Sequence, residues 1–361
     1  MTGARPVRAL VAVAVIVIAT LAPAAPAHAH AVTGVKATNY RSEIVGISGR
    51  RDALDVRLLD LGRRIELVNR GTVDVVVLGY DGEHWLRVGP RGTFENEYSN
   101  SAYQERQRRG RVSGPPPDPE RAAGKPRWRR TGDGSVLRWR DRRTRHEGPA
   151  PDQVQRAPDT RHLVVPRWTV ELQRGDDLLA IAGRIIYVPP PNPIPWALAA
   201  TALFLATLLT ARTARWPLFL SGLMAVLVAV DVVHTFANAA VSGGSLAAQA
   251  GIVLSGASFV VLAWALGAAC IDPLRRRTDT GIILAGVAAL MIAIYGGVTD
   301  AAALATSQVP SALTPFLLRA AVALSLGIGF GVVAVALYQG VRGPSRVASG
   351  HSPRRAATVR R

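Results

Sequence analysis

The stretch PNPIPWALAATALFLATLLTARTARWPLFLSGLMAVLVAVDVVHTFANAA, residues 191–240, decides the fold. It holds two apolar runs separated by ARTAR, each long enough to cross a bilayer, which takes roughly 20 mainly apolar residues. Three further runs follow, so the expected crossings are 193–210, 217–240, 245–271, 281–298 and 315–340. The chain reads as an integral membrane protein with an α-helical bundle of five spans.

The connections between spans set the orientation, because short loops carrying Arg stay cytoplasmic. Arg212 and Arg215 follow the first span, Arg275, Arg276 and Arg277 follow the third, and six arginines lie in the tail 341–361. The loop after the second span is uncharged, and the one from Asp300 to Thr314 has no base. The expected topology therefore places residues 30–192 outside the cell membrane and the basic tail in the cytoplasm. Trp196 and Trp216 fit anchors at opposite interfaces.

The 361 residues leave room for one soluble domain besides the bundle. A formal charge of +18, with Lys only at positions 36 and 125, would ordinarily raise nucleic acid as a partner. The expected topology turns that charge elsewhere: membrane lipid, an anionic envelope polymer or a partner membrane protein fits better than nucleic acid. The single cysteine, Cys270, falls in the third span, so the exported domain has no disulfide, thiol catalyst or zinc-thiolate site.

Residues 1–29 have the form of a secretory signal peptide: Arg5 and Arg8, an apolar run from Ala9 to Leu21, then small residues. Cleavage after Ala27 or Ala29 exposes His28 or His30 as a new N-terminus. A terminal amine beside an imidazole suits Cu(II), so copper is one reading of His30. The other is a histidine that happens to follow a small-residue leader.

Residues 30–189 carry strand signals. Ala53–Leu59, Arg64–Asn69, Val73–Tyr80 and Trp168–Leu172 are β-branched or alternating, with turns at Asp81-Gly82 and Arg174-Gly175. No helical period of useful length interrupts them, which predicts an all-β sandwich, immunoglobulin-like or cupredoxin-like. Residues 99–157, rich in Arg and Pro, read as an exposed excursion. Within it, Arg127, Trp128, Arg129, Arg130, Trp139, Arg140, Arg142, Arg143 and Arg145 would form a surface for anionic polymer or lipid headgroups, since Arg offers bidentate phosphate contacts. The alternative is a solvated loop pinned by its two tryptophans. The prolines of residues 190–196 form a stiff spacer to the bundle.

Ionisable residues inside spans are expensive and usually functional. Asp231 and His234 share one helix face, roughly 21 and 26 Å above the start of their span. Gln249 and Arg319, each roughly 6 Å from the outer boundary, and Asp300 fall at the same level. The five predict an intramembrane polar cluster. It could be a cation or proton site with Asp231 and His234 as metal ligands or relay, or a structural pairing of Asp231 or Asp300 with Arg319. Glycines 327, 329 and 331, and the pair Gly251 and Ser255, are expected to let helices approach closely.

The combination of NYRSEIVGI (39–47), RIELVNRGTVDVVVLGYDGEHWLRVGP (64–90), the Trp139 region and a five-span tail resembles an uncharacterised family of actinobacterial multi-pass membrane proteins with a signal peptide and an extracytoplasmic β domain. Its pattern implies histidines where this chain has Arg140, Arg142 and Arg145, leaving His146. A looser likeness, to the CopC and CopD copper proteins, rests on the His after the signal, the β domain and His234. The exported domain has no nucleophile elbow, HExxH or phosphate loop. The first functional reading is a non-enzymatic exported binding or sensing domain. The alternative is copper handling or ion and proton translocation through His30, Asp231 and His234.

Overall fold

The computed structural model describes residues 35–49, 51–111, 114–241, 243–256 and 258–342. Residues 1–34, which include the expected signal peptide, His28 and His30, and the tail from residue 343 lie outside the described residues.

Ten antiparallel strands form the first half: β1 (Tyr40–Ser48), β2 (Leu54–Leu59), β3 (Arg64–Asn69), β4 (Val75–Leu78), β5 (His84–Gly89), β6 (Gly92–Asn96), β7 (Trp128–Gly132), β8 (Val136–Arg140), β9 (His162–Arg174) and β10 (Asp177–Tyr187). They make a seven-stranded sheet, ordered β1-β10-β9-β4-β5-β6-β7, and a three-stranded sheet, β2-β3-β8. Alternation explains the shared core: Trp168, Val170 and Leu172 of β9 and Leu179, Ile181 and Ile185 of β10 pack in one cluster with Ile65 and Leu67 of β3 and Leu137 and Trp139 of β8.

The strand edges differ slightly from the sequence pattern. Ala53 sits at φ 63°, a left-handed conformation that delays β2 by one residue. The Asn69 amide donates to the carbonyls of Val73 at 2.8 Å and Val88 at 3.1 Å, fixing a turn that delays β4 to Val75.

The segment 99–157 is not simply an exposed loop. It contains helix α1 (Asn100–Arg108), capped by Ser99, whose hydroxyl accepts the Ala102 N–H at 3.1 Å. Ser101, Ala102, Tyr103 and Glu105 of α1 are buried. Short helices α2 (Pro119–Ala123) and α3 (Asp152–Arg156) follow. Strand β7 closes the edge of the large sheet, while β8 joins β3 in the small one, so this Arg-rich segment links the two layers.

Glu83 anchors that helix. Its carboxylate accepts from the Ser99 hydroxyl at 2.8 Å, the Ser101 N–H at 2.9 Å and the Asp81 N–H at 3.2 Å. Burial alone would raise its pKa, but these donors, the Ser101 N–H foremost, hold the carboxyl below its ordinary value. A carboxyl depressed in the folded state adds stability above its unfolded value, about 4.3, and loses it as pH falls through the folded value. Glu83→Ala is therefore expected to cost about 3 kcal/mol at neutral pH. In denaturant titrations that penalty shrinks as the pH is lowered below about 4. A penalty that stays constant into acid would assign Glu83 a packing role instead.

The second half is helical: α4 (Ile194–Thr210), α5 (Trp216–Ala240), α6 (Leu246–Gly256), α7 (Ser258–Ala269), α8 (Ile271–Arg275), α9 (Asp279–Ile292) and α10 (Pro315–Arg342). A π-helical turn (Ala293–Val298) and a 3-10 turn (Ala301–Ala305) follow α9. Four helical stretches are long and apolar enough to cross a membrane: Trp216–Ala240, Ser258–Arg275, Asp279–Ala305 and Pro315–Val341. By helix length and composition this is a multi-pass membrane protein. Helix α4 has 17 residues, and the expected span 245–271 falls on α6 and α7, either side of residue 257.

The glycines of α10 do bring backbones together. A Cβ on Gly327 would stand 2.5 Å from the Ala200 carbonyl oxygen, and one on Gly331 would stand 2.6 Å from the Thr207 side chain, both on α4. Gly251 does not act this way: nothing lies within 4 Å of its missing Cβ, and Ser255 turns its hydroxyl back to the Gly251 carbonyl at 2.7 Å.

The β domain sits directly on one end of the bundle. Thr38 and Gln308 exchange two backbone hydrogen bonds of 2.9 Å each. The Ser307 N–H donates to the Asn39 side chain, and its hydroxyl to the Val188 carbonyl, both at 2.9 Å.

Candidate functional site

Helix α5 presents Asp231, His234 and Asn238 at spacings of three and four, on one face. That face turns into the bundle, so Asp231 and His234 are each only 1% exposed and Asn238 is buried. The Trp264 indole N–H, from α7, donates to one Asp231 carboxylate oxygen at 2.7 Å. The other oxygen lies against Gly296 in the π-helical turn: a Cβ there would stand 2.1 Å from it and 3.4 Å from the Ser325 hydroxyl of α10. Ser325 is fully buried and its hydroxyl has no hydrogen-bond partner.

One turn along α5, His234 Nε2 stands 3.1 Å from a carboxylate oxygen of Asp300. The distance is that of an ion pair, which would require a protonated imidazole, and the ring nitrogen makes no aligned hydrogen bond. The Asn238 amide reaches the same Asp300 oxygen at 3.4 Å, while its own carbonyl oxygen is buried and unpartnered. Past Asp300 lies a cavity of about 20 Å³, bounded by Asn238, Asp300 and Leu318 on the bundle side and by Val35 and Ala37 from the segment leading into the β domain. That is room for one water.

Three of the five expected polar residues thus meet, and two do not. Gln249 is at the start of α6 and donates to the Gly244 carbonyl at 3.4 Å. Arg319 does not pair with either aspartate. Its guanidinium donates to the carbonyls of Ala303 at 3.1 Å and Thr306 at 3.0 Å, closing the end of the 3-10 turn, whose last carbonyls lack helical partners. The structural alternative of an Asp–Arg pair is therefore corrected: Asp231 takes an indole and Asp300 an imidazole.

Asp231 and His234 also do not make a metal site by themselves. Each has its own partner, and among the described residues no group of three His, Cys, Asp or Glu side chains stands close enough to hold a metal. His30, the third residue expected to ligate copper, lies outside the described residues.

The expected anionic-surface patch is largely neutralised from within. Arg127 pairs with Glu97 at 3.0 Å, Arg129 with Glu95 at 2.8 Å, Arg130 with Asp133 at 3.0 Å, Arg143 with Asp141 at 2.8 Å and Arg145 with Glu147 at 2.5 Å. Arg142 lies over the Tyr80 ring at 4.1 Å. Trp139 is core, its indole donating to Asp141 at 3.0 Å, while Trp128 stacks on His84 with ring centres 6.3 Å apart. Arg140, at the end of β8, is exposed and faces Arg64 in the ladder.

No protein-family model, curated protein or solved structure matches this chain. The site must be read from its own atoms. Trp264, Gly296 and Ser325, which complete it, were not singled out by the sequence pattern. A weak signal existed for Gly296, since the Gly296-Gly297 pair interrupts an otherwise uniform apolar run, and for Asn238, which continues the Asp231–His234 face.

Proposed function

We propose that this is a cell-envelope membrane protein whose exported β domain, non-enzymatic and immunoglobulin-like or cupredoxin-like in build, senses conditions at the outer membrane surface through a proton-accepting chain beneath it. In this reading α4 is a first crossing of about 25 Å, α6 and α7 make one crossing together, and the five spans leave the β domain outside and the tail in the cytoplasm. The arginine-rich loops 211–215 and 275–277 then share the cytoplasmic side, as the charge rule requires.

One observation carries the reading: Asp231, His234 and Asp300 succeed one another inside the apolar bundle and end at a water-sized cavity whose far wall is the exported segment Val35–Ala37. Ionisable groups at such depth are retained at a cost in folding energy, and relays of Asp and His are one of their recurrent uses. A shift of the β domain on its seat would open or close the outer end of the chain. Protonation of the chain would in turn alter the charge pairing that holds Asp300 against the seat.

The test is infrared difference spectroscopy on the full-length protein in lipid nanodiscs, stepped between about pH 5 and 8, the range in which histidine side chains change charge. The wild type is expected to show a carboxyl protonation change that Asp231→Asn diminishes and His234→Gln displaces along the pH axis. A wild-type spectrum with no carboxyl change across the range would remove the relay and leave the three residues a packing role.

A further inference from the structure

The outer face of the seven-stranded sheet, turned away from the shared core, carries an open cleft of about 730 Å³. Strand alternation builds it. Val75, Val77 and Val88 point into the core, so Val76 of β4 and Arg87 of β5 face outward as a direct pair. Gln173 of β9 lies opposite Val76, and Phe94 of β6 opposite Arg87. Trp128, on the edge strand β7, is half-buried against this row and lines the cleft. The Arg87 guanidinium lies 4.9 Å from its ring centre and 4.1 Å from that of Phe94, and the His84 ring stacks on it at 19°. The polar groups around the indole pair with one another. Asp74 stands 3.3 Å from Arg91 and 3.7 Å from Arg87, and a His84 ring nitrogen lies 3.0 Å from the Gln173 carbonyl oxygen. Arg91 nonetheless has a side chain 77% exposed, and its guanidinium carries five N–H groups. Acceptors and donors thus stand side by side around an aromatic surface, with charge nearly balanced. The cleft reaches Gly175 in the β9–β10 turn, while the seat on the bundle lies just beyond Tyr187, at the other end of β10. Eleven residues of strand, about 35 Å of chain, separate the two.

We infer that this cleft binds a saccharide chain, with one sugar ring lying on Trp128 and its hydroxyls read by Asp74, His84, Arg91 and Gln173. The face of a sugar ring is a set of C–H bonds that packs on an aromatic surface, and each hydroxyl both donates and accepts. A wall that offers carboxylate, amide, imidazole and guanidinium together answers such a ligand. A phosphate group would call for a surplus of cations, and an apolar peptide would bury the polar rim without partners. The volume falls within the range of ligand clefts, about 300–1,000 Å³, and suits a short run of linked rings better than a folded partner. Saccharide binding here requires neither the proton chain nor the orientation of the bundle.

The test is calorimetric titration of the full-length protein in lipid nanodiscs, without maltoside or glucoside detergents, whose sugar headgroups would compete. The probes are four uncharged oligomers: maltohexaose, cellohexaose, mannohexaose and N-acetylchitohexaose. At least one is expected to bind saturably. Its binding should be at least tenfold weaker in Trp128→Ala and in Gln173→Ala, and within about threefold of wild type in Trp128→Phe, which keeps an aromatic face. Arg108→Gln, outside the cleft, should leave it unchanged. Thermal melts run beside each titration; where Trp128→Ala melts early, Gln173→Ala and Trp128→Phe carry the comparison. The inference is overturned if none of the four oligomers binds saturably, or if Arg108→Gln weakens binding as much as the cleft variants. Binding of a hexaproline peptide that no oligomer displaces also overturns it, since the aromatic wall would then be a peptide groove.

Discussion

Gly183→Ala is expected to lower the melting temperature of the β domain by about 10 °C, the fall that a loss of about 4 kcal/mol produces in a domain of this size. Gly183 lies on β10, directly opposite Trp168 on β9 and Ile44 on β1. The Trp168 ring folds across the glycine: an added Cβ would stand 2.1 Å from one ring atom and 2.3 Å from another, and 2.3 Å from the Glu43 carbonyl oxygen. Neither side can yield. Trp168 is buried in the core between the two sheets, and the Glu43 carbonyl is fixed by the β1–β10 ladder. Overpacking of this kind ordinarily costs about 1–3 kcal/mol, and here two rigid neighbours are struck at once. Ladder irregularities after Gly183 and after Ile44 show where the strands already bend around the ring. Thermal melts of the full-length protein in detergent, followed through the near-ultraviolet tryptophan signal, measure the effect. A melting temperature within about 2 °C of wild type would mean that Trp168 has an alternative seat in the core.

How far such features could be foreseen depends on whether they arise from local pattern or from distant encounters. The helical, apolar character of the bundle was legible from run length, although four stretches rather than the expected five are long enough to cross a membrane, and β3 was legible because Ile65, Leu67 and Asn69 alternate into the core. Helix α1 was missed because nine polar-rich residues carry almost no period; its burial comes from Glu83 and the sheet beneath. The Arg-rich segment was misread for a related reason. Composition shows its arginines, but Arg127, Arg129 and Arg138 find their partners, Glu97, Glu95 and Glu66, thirty or more residues earlier in the chain. At the polar site, the Asp231–His234 face followed from helix geometry. Trp264, 33 residues further along the chain, could be assigned only once the helices had packed. Arg319 shows the limit most clearly. A half-buried cation in a bundle predicts an anion, yet the carbonyl ends of a short 3-10 turn answer it instead.

Gly296→Ala is expected to abolish the acid response of the bundle while leaving the protein folded. In an ordinary helix this substitution would stabilise by up to about 1 kcal/mol, because Gly is the poorer helix former. Gly296 instead sits in a π-helical turn, a local widening that recurs at functional sites, with its Cα facing Asp231. The new methyl group meets only the end of a side chain, so the backbone need not move. The carboxylate must rotate, and rotation takes it from the Trp264 indole, a hydrogen bond to a charged group worth about 1.5–3 kcal/mol. Net destabilisation is then about 1–2 kcal/mol, and most of it belongs to the Asp231–Trp264 contact. A double-mutant cycle isolates that share: Gly296→Ala should cost little in a Trp264→Phe background, where the contact is already gone. In the infrared experiment, Gly296→Ala should reproduce the Asp231→Asn spectrum although the aspartate is still present. That agreement would tie the response to the position of the carboxylate rather than to its mere presence. A Gly296→Ala protein with a wild-type spectrum would show that Asp231 can rotate freely in the bundle, and the ordered chain from Asp231 to Asp300 would then have no role in proton uptake.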